Sequence, residues 1–383
     1  MRLSLATNAV VAALIGFAVT LPLIFQAGKA IGASDVQTAM FVTVSCFAVA
    51  IESAYLSWRY KIPVVCAFST AGLALIGASD GFTISDAAGA LIATGLMIAV
   101  TGLVRPFTTL VAKIPGGIAA GMLAGVLLPF VLGAARAGQA DPGLVLPLTV
   151  LYFAVRLWNG AYAILAVLAA GIAMSVFGGA TLALPAPGMP EFELLMPTLS
   201  LPSLIGIAIP LYLVTMASQN LPGLAVLRAD GYAPPAGPLI AVTGILSTIS
   251  GLFAAITTNL AAITAAICTG PDTHPDPARR WITGLWYGVC YALIGLFGVS
   301  LVAIVTVLPS VLIALVVGLG LLNPLINATM IAMKDEDERV PAMTTLIVTA
   351  SGVAFFGIGS AFWGLVAGLT IFFSSRPVWR KLQ

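Results

Sequence analysis

The segment KIPVVCAFSTAGLALIG (residues 61–77) joins two kinds of local structure within one apolar stretch. Its first part contains β-branched residues, which favour extended backbone. Ser69 and Thr70 follow, and both residue types accept hydrogen bonds from the free N–H groups at the start of a helix. The segment therefore predicts a short strand and then a half-helix that begins near Ser69–Thr70.

A second segment, GLFAAITTNLAAITAAICTG (residues 251–270), has the same order. Thr257, Thr258 and Asn259 precede an alanine-rich stretch, so a half-helix is predicted to begin near Thr258–Asn259. Within a membrane, a helix can begin only where it is buried in protein or lines a cavity. We therefore expect the two half-helices to meet at mid-membrane, with the positive ends of their dipoles directed at the occupant of that cavity.

The composition places both segments in a membrane. Of the 383 residues, 60% are apolar and 8% are charged, and the mean hydropathy is +1.10, whereas a soluble domain carries about 25% charged residues. We expect an all-α polytopic membrane protein whose first apolar stretch is a retained span and not a cleaved signal peptide. Cutting the chain at its polar and Pro/Gly-rich breaks predicts fourteen segments, at 8–28, 37–57, 62–77, 87–104, 115–135, 143–155, 160–178, 201–221, 237–252, 255–269, 282–302, 306–331, 341–356 and 358–374.

The basic residues test this division independently, because cytoplasmic connections are enriched in Lys and Arg. All 16 basic residues except Lys29 and Arg136 fall on one side of the predicted membrane. A miscounted span would move every later connection to the opposite side and mix the two groups. The pattern predicts an even number of spans, with both termini cytoplasmic, in an inner (cytoplasmic) membrane.

An even count of fourteen divides into two halves of seven segments. An odd number of segments in each half turns the second half upside down relative to the first, as in many secondary transporters. The predicted domains are a first inverted repeat at 1–183, an external linker at 184–200 and a second inverted repeat at 201–383. Pro115 lies at the start of the fifth segment and Pro309 near the start of the twelfth, and in both segments a Gly precedes a second Pro by four residues.

The eighth segment includes LYLVTMASQNLPGLAVL (residues 211–227), which places hydrogen-bonding side chains inside an apolar run. Pro222-Gly223 is predicted to end or bend this helix. Polar side chains at this depth either meet a ligand or serve as hydrogen-bond partners between helices. Three adjacent residues form the polar group: Ser218, Gln219 and Asn220.

Glu52 is the only one of the 14 acidic residues that falls inside a predicted span. An intramembrane carboxyl group is a functional candidate by default, so Glu52 is the candidate for proton coupling. It precedes Arg59 by seven residues, which places it about 10 Å from the inner boundary. A structural hydrogen bond to a neighbouring helix is the alternative interpretation.

Other chemical motifs are few. The four cysteines lie in apolar segments without C-x-x-C spacing, so we expect buried thiols and neither a disulfide nor a metal site. His274 is expected to make a loop or gate contact. Because no Walker loop, dinucleotide fingerprint or catalytic triad is present, the sequence disfavours an enzyme or a primary pump, and we expect no cofactor and no nucleic-acid partner.

Two longer motifs, MASQNLPGLAVLRADGY (216–232) and NLAAITAAICTGPDTHPDPARRW (259–281), resemble those of the benzoate:proton symporters of the BenE type. The spacing of segments extends the resemblance over essentially the whole chain. The family is similar in fold to uracil permeases and sulfate-anion transporters. The resemblance implies a core domain and a gate domain, with substrate between the third and tenth segments and the first and eighth helices alongside.

The resemblance also reveals a departure. Uracil-type permeases place carboxylates in the eighth and tenth segments, whereas this chain has neutral polar groups there. Neutral donors suit an anion, and phenylalanines such as Phe253 could wall its ring. The carboxylate is expected between the half-helix starts, near the backbone N–H groups of Ala71 and Leu260. The candidate substrate-binding residues are Gln219, Asn220, Ser218, Asn259, Thr258, Thr257, Ser69, Thr70, Phe68, Gln26 and Phe25.

The expected function is therefore import of benzoate or a related aromatic carboxylate by proton symport. A nucleobase or inorganic-anion permease, or an anion channel of the same fold, remains as an alternative. The expected partners are the substrate, protons and the lipid bilayer, and a homodimer is left open.

Overall fold

The computed structural model describes residues 3–79, 81–104, 115–160, 162–178, 190–261 and 263–375. Within these residues the chain is mostly helical. The elements are α1 (Leu3–Ala30), α2 (Asp35–Tyr60), β1 (Cys66–Phe68), α3 (Thr70–Gly77), α4 (Ile84–Leu103), α5 (Gly116–Ala140), α6 (Pro142–Asn159), α7 (Ala163–Phe177), α8 (Leu201–Ala229), α9 (Ala236–Gly251), β2 (Thr258–Leu260), α10 (Ile263–Thr269), α11 (Trp281–Leu296), α12 (Gly298–Val307), α13 (Ser310–Ala332), α14 (Arg339–Ala350) and α15 (Ser360–Ser375).

Seven of the helices described are long and apolar enough to cross a membrane, namely α1, α2, α4, α5, α6, α8 and α13. An eighth span results if α11 and α12 are counted together. Shorter apolar helices are α7, α9 and α15. The prediction of a helical polytopic membrane protein is confirmed, and the count of fourteen segments stays a prediction.

The predicted eleventh segment (282–302) is not one straight helix. Its two parts, α11 and α12, meet at 62°. The hydroxyl of Thr43, on α2, donates a hydrogen bond of 2.9 Å to the carbonyl of Gly295 near the bend. A side chain that engages a helical carbonyl in this way is a known cause of kinks. The predicted thirteenth segment (341–356) is also too long, because α14 ends at Ala350 and Gly352 turns the chain with a φ of +69°.

The third and tenth segments each contain the predicted strand and half-helix. β1 pairs with β2 in antiparallel register, with Ala67 opposite Asn259. α3 begins at Thr70 behind the N-cap Ser69, as predicted. The tenth segment differs, because Thr258 and Asn259 lie in β2 and α10 begins later, at Ile263. Here strand pairing engages the polar residues that were expected to cap a helix.

Close helix packing surrounds this strand pair. α4 packs along α9, α2 along α11, and α5 along α13, while α1 contacts both half-helices. Glycines permit the α4–α9 approach, because a Cβ on Gly102 would clash with the backbone of Ala241 and one on Gly244 with the backbone of Ala99. Small residues at helix interfaces are the usual means of close packing in membranes.

α8 continues through Pro222-Gly223 to Ala229, so of the two predicted alternatives, an end or a bend, the helix end is wrong. The residues Met216–Asn220, directly before the proline, form a π-helical turn. Such a wider turn relieves the clash between a proline ring and the carbonyl four residues earlier. The polar group of α8 therefore lies on an irregular turn of a continuous helix.

Several predictions concern residues outside those described. They include the boundary at residue 183, the linker residues 184–189 and the basic residues Arg2, Arg105, Lys113, Arg376, Arg380 and Lys381. From residue 190 to 200 the chain forms no helix or strand and lies across the ends of two helices. The Leu195 N–H donates to the Leu252 carbonyl, and the Thr198 N–H donates to the Ser85 carbonyl, both at 2.9 Å.

Candidate functional site

Ser69 connects the start of α3 with α8 and β2. Its Oγ accepts a hydrogen bond from the Gly72 N–H and shares another with Thr215 Oγ1, both at 3.1 Å. Its N–H lies 2.9 Å from the Thr257 carbonyl and 3.2 Å from the Asn259 amide oxygen, in the amide orientation that satisfies both of its polar atoms. The structure therefore brings together Ser69, Thr257 and Asn259, with Thr215 as a partner that the sequence analysis missed.

Asn220 is buried on the π-turn of α8 and reaches the end of β2. Its Oδ1 accepts a hydrogen bond of 2.9 Å from the Leu260 N–H, and its Nδ2 donates to Met216 Sδ at 3.3 Å. The Leu260 N–H, which the sequence analysis assigned to a substrate carboxylate, is therefore engaged by Asn220. A neutral amide oxygen here satisfies a backbone donor that strand pairing leaves open.

Two amide side chains near the half-helices are unengaged. Gln219 and Gln26 are half-buried, and neither forms a hydrogen bond with any described residue. Ser218, next to Gln219, is engaged, because its Oγ donates to the Val214 carbonyl of its own helix at 2.7 Å. Thr70 is also half-buried, at the first position of α3. Gln219 and Gln26 thus have free hydrogen-bonding capacity.

Glu52 is buried and contacts β2 from α2. Its Oε1 accepts a hydrogen bond of 2.5 Å from Thr258 Oγ1, and its Oε2 has no partner among the described residues. Thr258 is held in turn by Ser247 on α9, whose Oγ accepts from the Thr258 N–H at 2.9 Å and lies 3.2 Å from Thr258 Oγ1. Within the part of the chain that the structure describes, Glu52 therefore bonds to Thr258, next to Asn259 in β2, and not to a neighbouring helix.

The candidate phenylalanines lie in different surroundings. Phe68 packs edge-on against Phe17 and Tyr291, with ring centroids 6.4 and 5.5 Å apart. Phe25 is buried beneath the Lys29 ammonium, which lies 4.4 Å from its ring centre. Phe253 packs instead against Phe192 of the 190–200 segment, so it does not join the aromatic cluster around Phe68.

Two tyrosines missed by the sequence analysis lie behind Phe68. Tyr287 and Tyr291 on α11 contact each other with ring centroids 4.9 Å apart and planes tilted by 49°, and neither hydroxyl has a hydrogen-bond partner among the described residues. Gly16 of α1 faces them, because a Cβ added there would lie 3.0 Å from the Tyr291 hydroxyl. The i, i+4 spacing of the two tyrosines on α11 was a signal that could have indicated a shared face.

The remaining candidate features are structural. His274 Nδ1 accepts from the Asp276 N–H at 3.0 Å, which is a loop contact. No group of three potential metal ligands occurs in the described part of the chain. In the connection after α8, burial raises the pKa of the Tyr232 phenol, and the Arg280 guanidinium partly offsets this effect. The four cysteines, Cys46, Cys66, Cys268 and Cys290, are free thiols.

Comparison with solved structures identifies the fold. The chain superposes on the transmembrane domain of a cyanobacterial bicarbonate transporter, BicA, with a TM-score of 0.62 and 15% identity, covering 96% of this chain and 98% of that one. It superposes on the murine Slc26a9 anion transporter in the inward-facing state with a TM-score of 0.61 and 13% identity, covering 96% and 68%. The expected sulfate-anion transporter-like fold is confirmed.

Sequence comparison identifies the family. The chain is 36% identical over 361 residues to the inner membrane protein YdcO of Escherichia coli strain K12, covering 93% of this chain and 92% of that protein. It is 34% identical over 368 residues to the benzoate membrane transport protein of Acinetobacter baylyi, covering 94% and 92%. The family model for BenE, the benzoate membrane transport protein, matches residues 1–373. The chain belongs to the BenE family of membrane transporters and not to a family of enzymes.

Proposed function

We propose that this protein is a secondary active transporter that imports benzoate or a related aromatic carboxylate together with protons. The observation that carries the proposal is the hydrogen bond between Glu52 and Thr258. It joins a buried carboxyl group, which can take up and release a proton, to the strand that holds Asn259. A change in the protonation of Glu52 can therefore reach the strand that holds Asn259 through this one hydrogen bond.

The proposed anion site lies at the start of α3, between Ser69, Asn259 and Gln219. The Thr70 and Ala71 N–H groups occupy the first two positions of this helix, where no carbonyl four residues earlier is available to them. The helix end contributes a partial positive charge of about one half. Gln219 and Gln26 supply free amide groups, and the aromatic ring is placed against apolar side chains such as Phe68 and Phe25.

Glu52 is the proposed proton carrier. It lies in the buried interior, and the ion pairs within the described residues are Arg279–Asp276 and Arg339–Glu336, so it pairs with no cation there. Intramembrane carboxyl groups in such surroundings commonly mark proton relays. Thr258 donates to Glu52, and this arrangement can hold either the neutral or the ionised carboxyl group.

The proposed architecture has two inverted repeats of seven segments, a core domain and a gate domain, and both termini in the cytoplasm. The packing supports this architecture. If each element is replaced by its counterpart seven segments away in the other repeat, the packed pair α2–α11 becomes the packed pair α9–α4. The α5–α13 and β1–β2 pairs are each made of two such counterparts. Cysteines placed at Ser34 and Glu191 should react with an impermeant reagent from outside, and cysteines at Asp230 and Asp337 should not.

The substrate proposal is tested by counterflow in liposomes. Purified protein should exchange labelled benzoate and accumulate it under an inward proton gradient. Uptake specific for uracil, sulfate or bicarbonate would replace benzoate with a nucleobase or inorganic anion. Conductance without accumulation would favour a channel of the same fold.

A further inference from the structure

Arg280 is a buried cation just before α11. It is 6% exposed, and it is the one buried residue among the lysines and arginines that the structure describes. Its guanidinium donates to three backbone carbonyls: Nε to His274 at 2.6 Å, Nη1 to Thr269 at 2.9 Å and Nη2 to Pro275 at 3.4 Å. No described carboxylate forms an ion pair with it. It therefore forms no direct ion pair with a described acid, although Asp230 and Asp276 act on the same Tyr232 phenol as Arg280 does.

The Thr269 carbonyl is the last of α10, the half-helix that follows β2. The carboxyl end of a helix carries a partial negative charge of about one half. By donating to this carbonyl, Arg280 opposes that charge. α10 has seven residues and is about 10 Å long, so this end lies only two turns from Ile263, where the helix begins four residues after Asn259.

Neutral contacts hold the same end of α10 independently. Asn8 Nδ2 donates to Thr273 Oγ1 at 2.9 Å and to the Ile267 carbonyl at 3.4 Å. Thr273 Oγ1 donates to the Ile267 carbonyl at 2.8 Å, and Ser4 Oγ donates to the Thr273 carbonyl at 2.9 Å. α1 therefore anchors this end without any charge, and the distinct contribution of Arg280 is its cation.

We infer that Arg280 is a positioning residue for the substrate carboxylate and acts on it through α10. It opposes the negative end of the half-helix and adds a buried positive charge, so the potential at Asn259 favours an anion although no basic side chain among the described residues bonds to Asn259. This inference rests on the proposed function. A distant cation strengthens binding without a direct ion pair that would slow release.

The expected size of the effect follows from Coulomb's law. A unit charge about 12–15 Å from a carboxylate, at an effective dielectric constant of about 20, changes affinity by about six- to tenfold. The neighbouring Arg279 provides a matched comparison, because it carries the same charge but its side chain is 69% exposed and pairs with Asp276 at 3.5 Å. Water and this partner screen its charge.

The test uses the full-length protein in lipid nanodiscs, with benzoate affinity and the thermal unfolding midpoint measured for each variant. R280Q should weaken benzoate binding about six- to tenfold, whereas R280K, which keeps the charge and loses the planar fork, should stay within about twofold of the wild type. R279Q should leave affinity unchanged. N8A should lower the unfolding midpoint with little change in affinity.

Two results would overturn the inference. One is a folded R280Q protein with wild-type affinity. The other is a folded R280K protein that loses as much affinity as R280Q, since geometry and not charge would then be responsible. If R280Q does not fold, R280K is compared with the wild type, and a loss of affinity of about sixfold or more in folded R280K overturns the inference. Failure of the proposed function is distinguishable, because the wild-type protein itself would then not bind benzoate, and the inference would fall with it.

Discussion

The two strands at the centre of the molecule share a backbone arrangement but differ in chemistry. A two-fold rotation that exchanges Ala67 with Asn259 also exchanges Cys66 with Thr258. Each of the latter residues donates its N–H to a serine on the preceding helix, Cys66 to Ser53 at 3.0 Å and Thr258 to Ser247 at 2.9 Å. The same rotation relates two further bonds, from Ser69 N–H to the Thr257 carbonyl and from Ala261 N–H to the Val65 carbonyl.

The side chains break this symmetry. Glu52 precedes the serine of α2, whereas Leu246 precedes the serine of α9. Ser69 stands at the start of α3, where the other half has Ala261. Backbone hydrogen bonds thus build the same frame twice, and single polar substitutions within that frame place the candidate proton carrier in one half only. Substitutions on the two sides of this frame show whether the asymmetry is functional.

The largest expected effect on transport, the complete loss of proton-driven accumulation, is that of removing the acid. Glu52→Gln retains an oxygen that can accept from Thr258, so benzoate binding should be preserved. If one proton is coupled to each benzoate, an inward gradient of one pH unit can raise the ratio of internal to external benzoate about tenfold. In Glu52→Gln this ratio should stay close to one. Accumulation of labelled benzoate in liposomes and equilibrium binding measure the two quantities separately.

The matched control is Asp35→Asn, which removes an exposed carboxylate from the first turn of the same helix and should leave accumulation unchanged. Full accumulation by Glu52→Gln would make the difference between Glu52 and Leu246 functionally silent.

Sequence reasoning predicted the strand and half-helix in both halves because β-branched residues, a capping serine and an apolar helix follow one another locally. It also singled out Glu52, since a lone carboxyl inside an apolar span is visible without a structure. It missed the later start of α10, because Thr and Asn are both good capping residues and the local sequence does not show that pairing with β1 places them in a strand. Thr215, Tyr287 and Arg280 were also missed, because their roles depend on contacts between distant segments.

The next effect in size concerns substrate affinity. Gln219→Ala and Asn259→Ala should each weaken benzoate binding by about 1–3 kcal/mol, the cost of losing a hydrogen bond to a charged group. Titration of purified protein with benzoate measures this. Normal binding by both variants, together with loss of binding in Glu52→Gln, would move the anion site towards α2 and end the proposed mechanism.

Asn220 should behave differently from its neighbour Gln219. Asn220→Ala leaves the buried Leu260 N–H without its acceptor, which should cost about 1–2 kcal/mol of stability. Gln219→Ala removes no hydrogen bond to a described residue and should leave stability unchanged. Thermal unfolding of the two variants in the same detergent compares them, and equal losses would show that Asn220 is not the structural member of the pair.

The smallest effect is expected from making α3 resemble the other half. Ser69→Ala gives the first half an alanine at the position that Ala261 occupies in the second half. The substitution removes both the hydrogen bond that caps the Gly72 N–H and the hydrogen bond to Thr215. Loss of a capping serine costs about 1 kcal/mol, and the freed Gly72 N–H lies beside the proposed anion site. Bound benzoate can satisfy that donor, so the stability of the variant should fall by about 1 kcal/mol without substrate and by less at saturating benzoate. Ser218→Ala is the control, because among the described residues Ser218 bonds only to the Val214 carbonyl of its own helix, and its loss should change neither value. If benzoate stabilised wild type and Ser69→Ala equally, the cap would be purely structural and the anion would lie away from the start of α3.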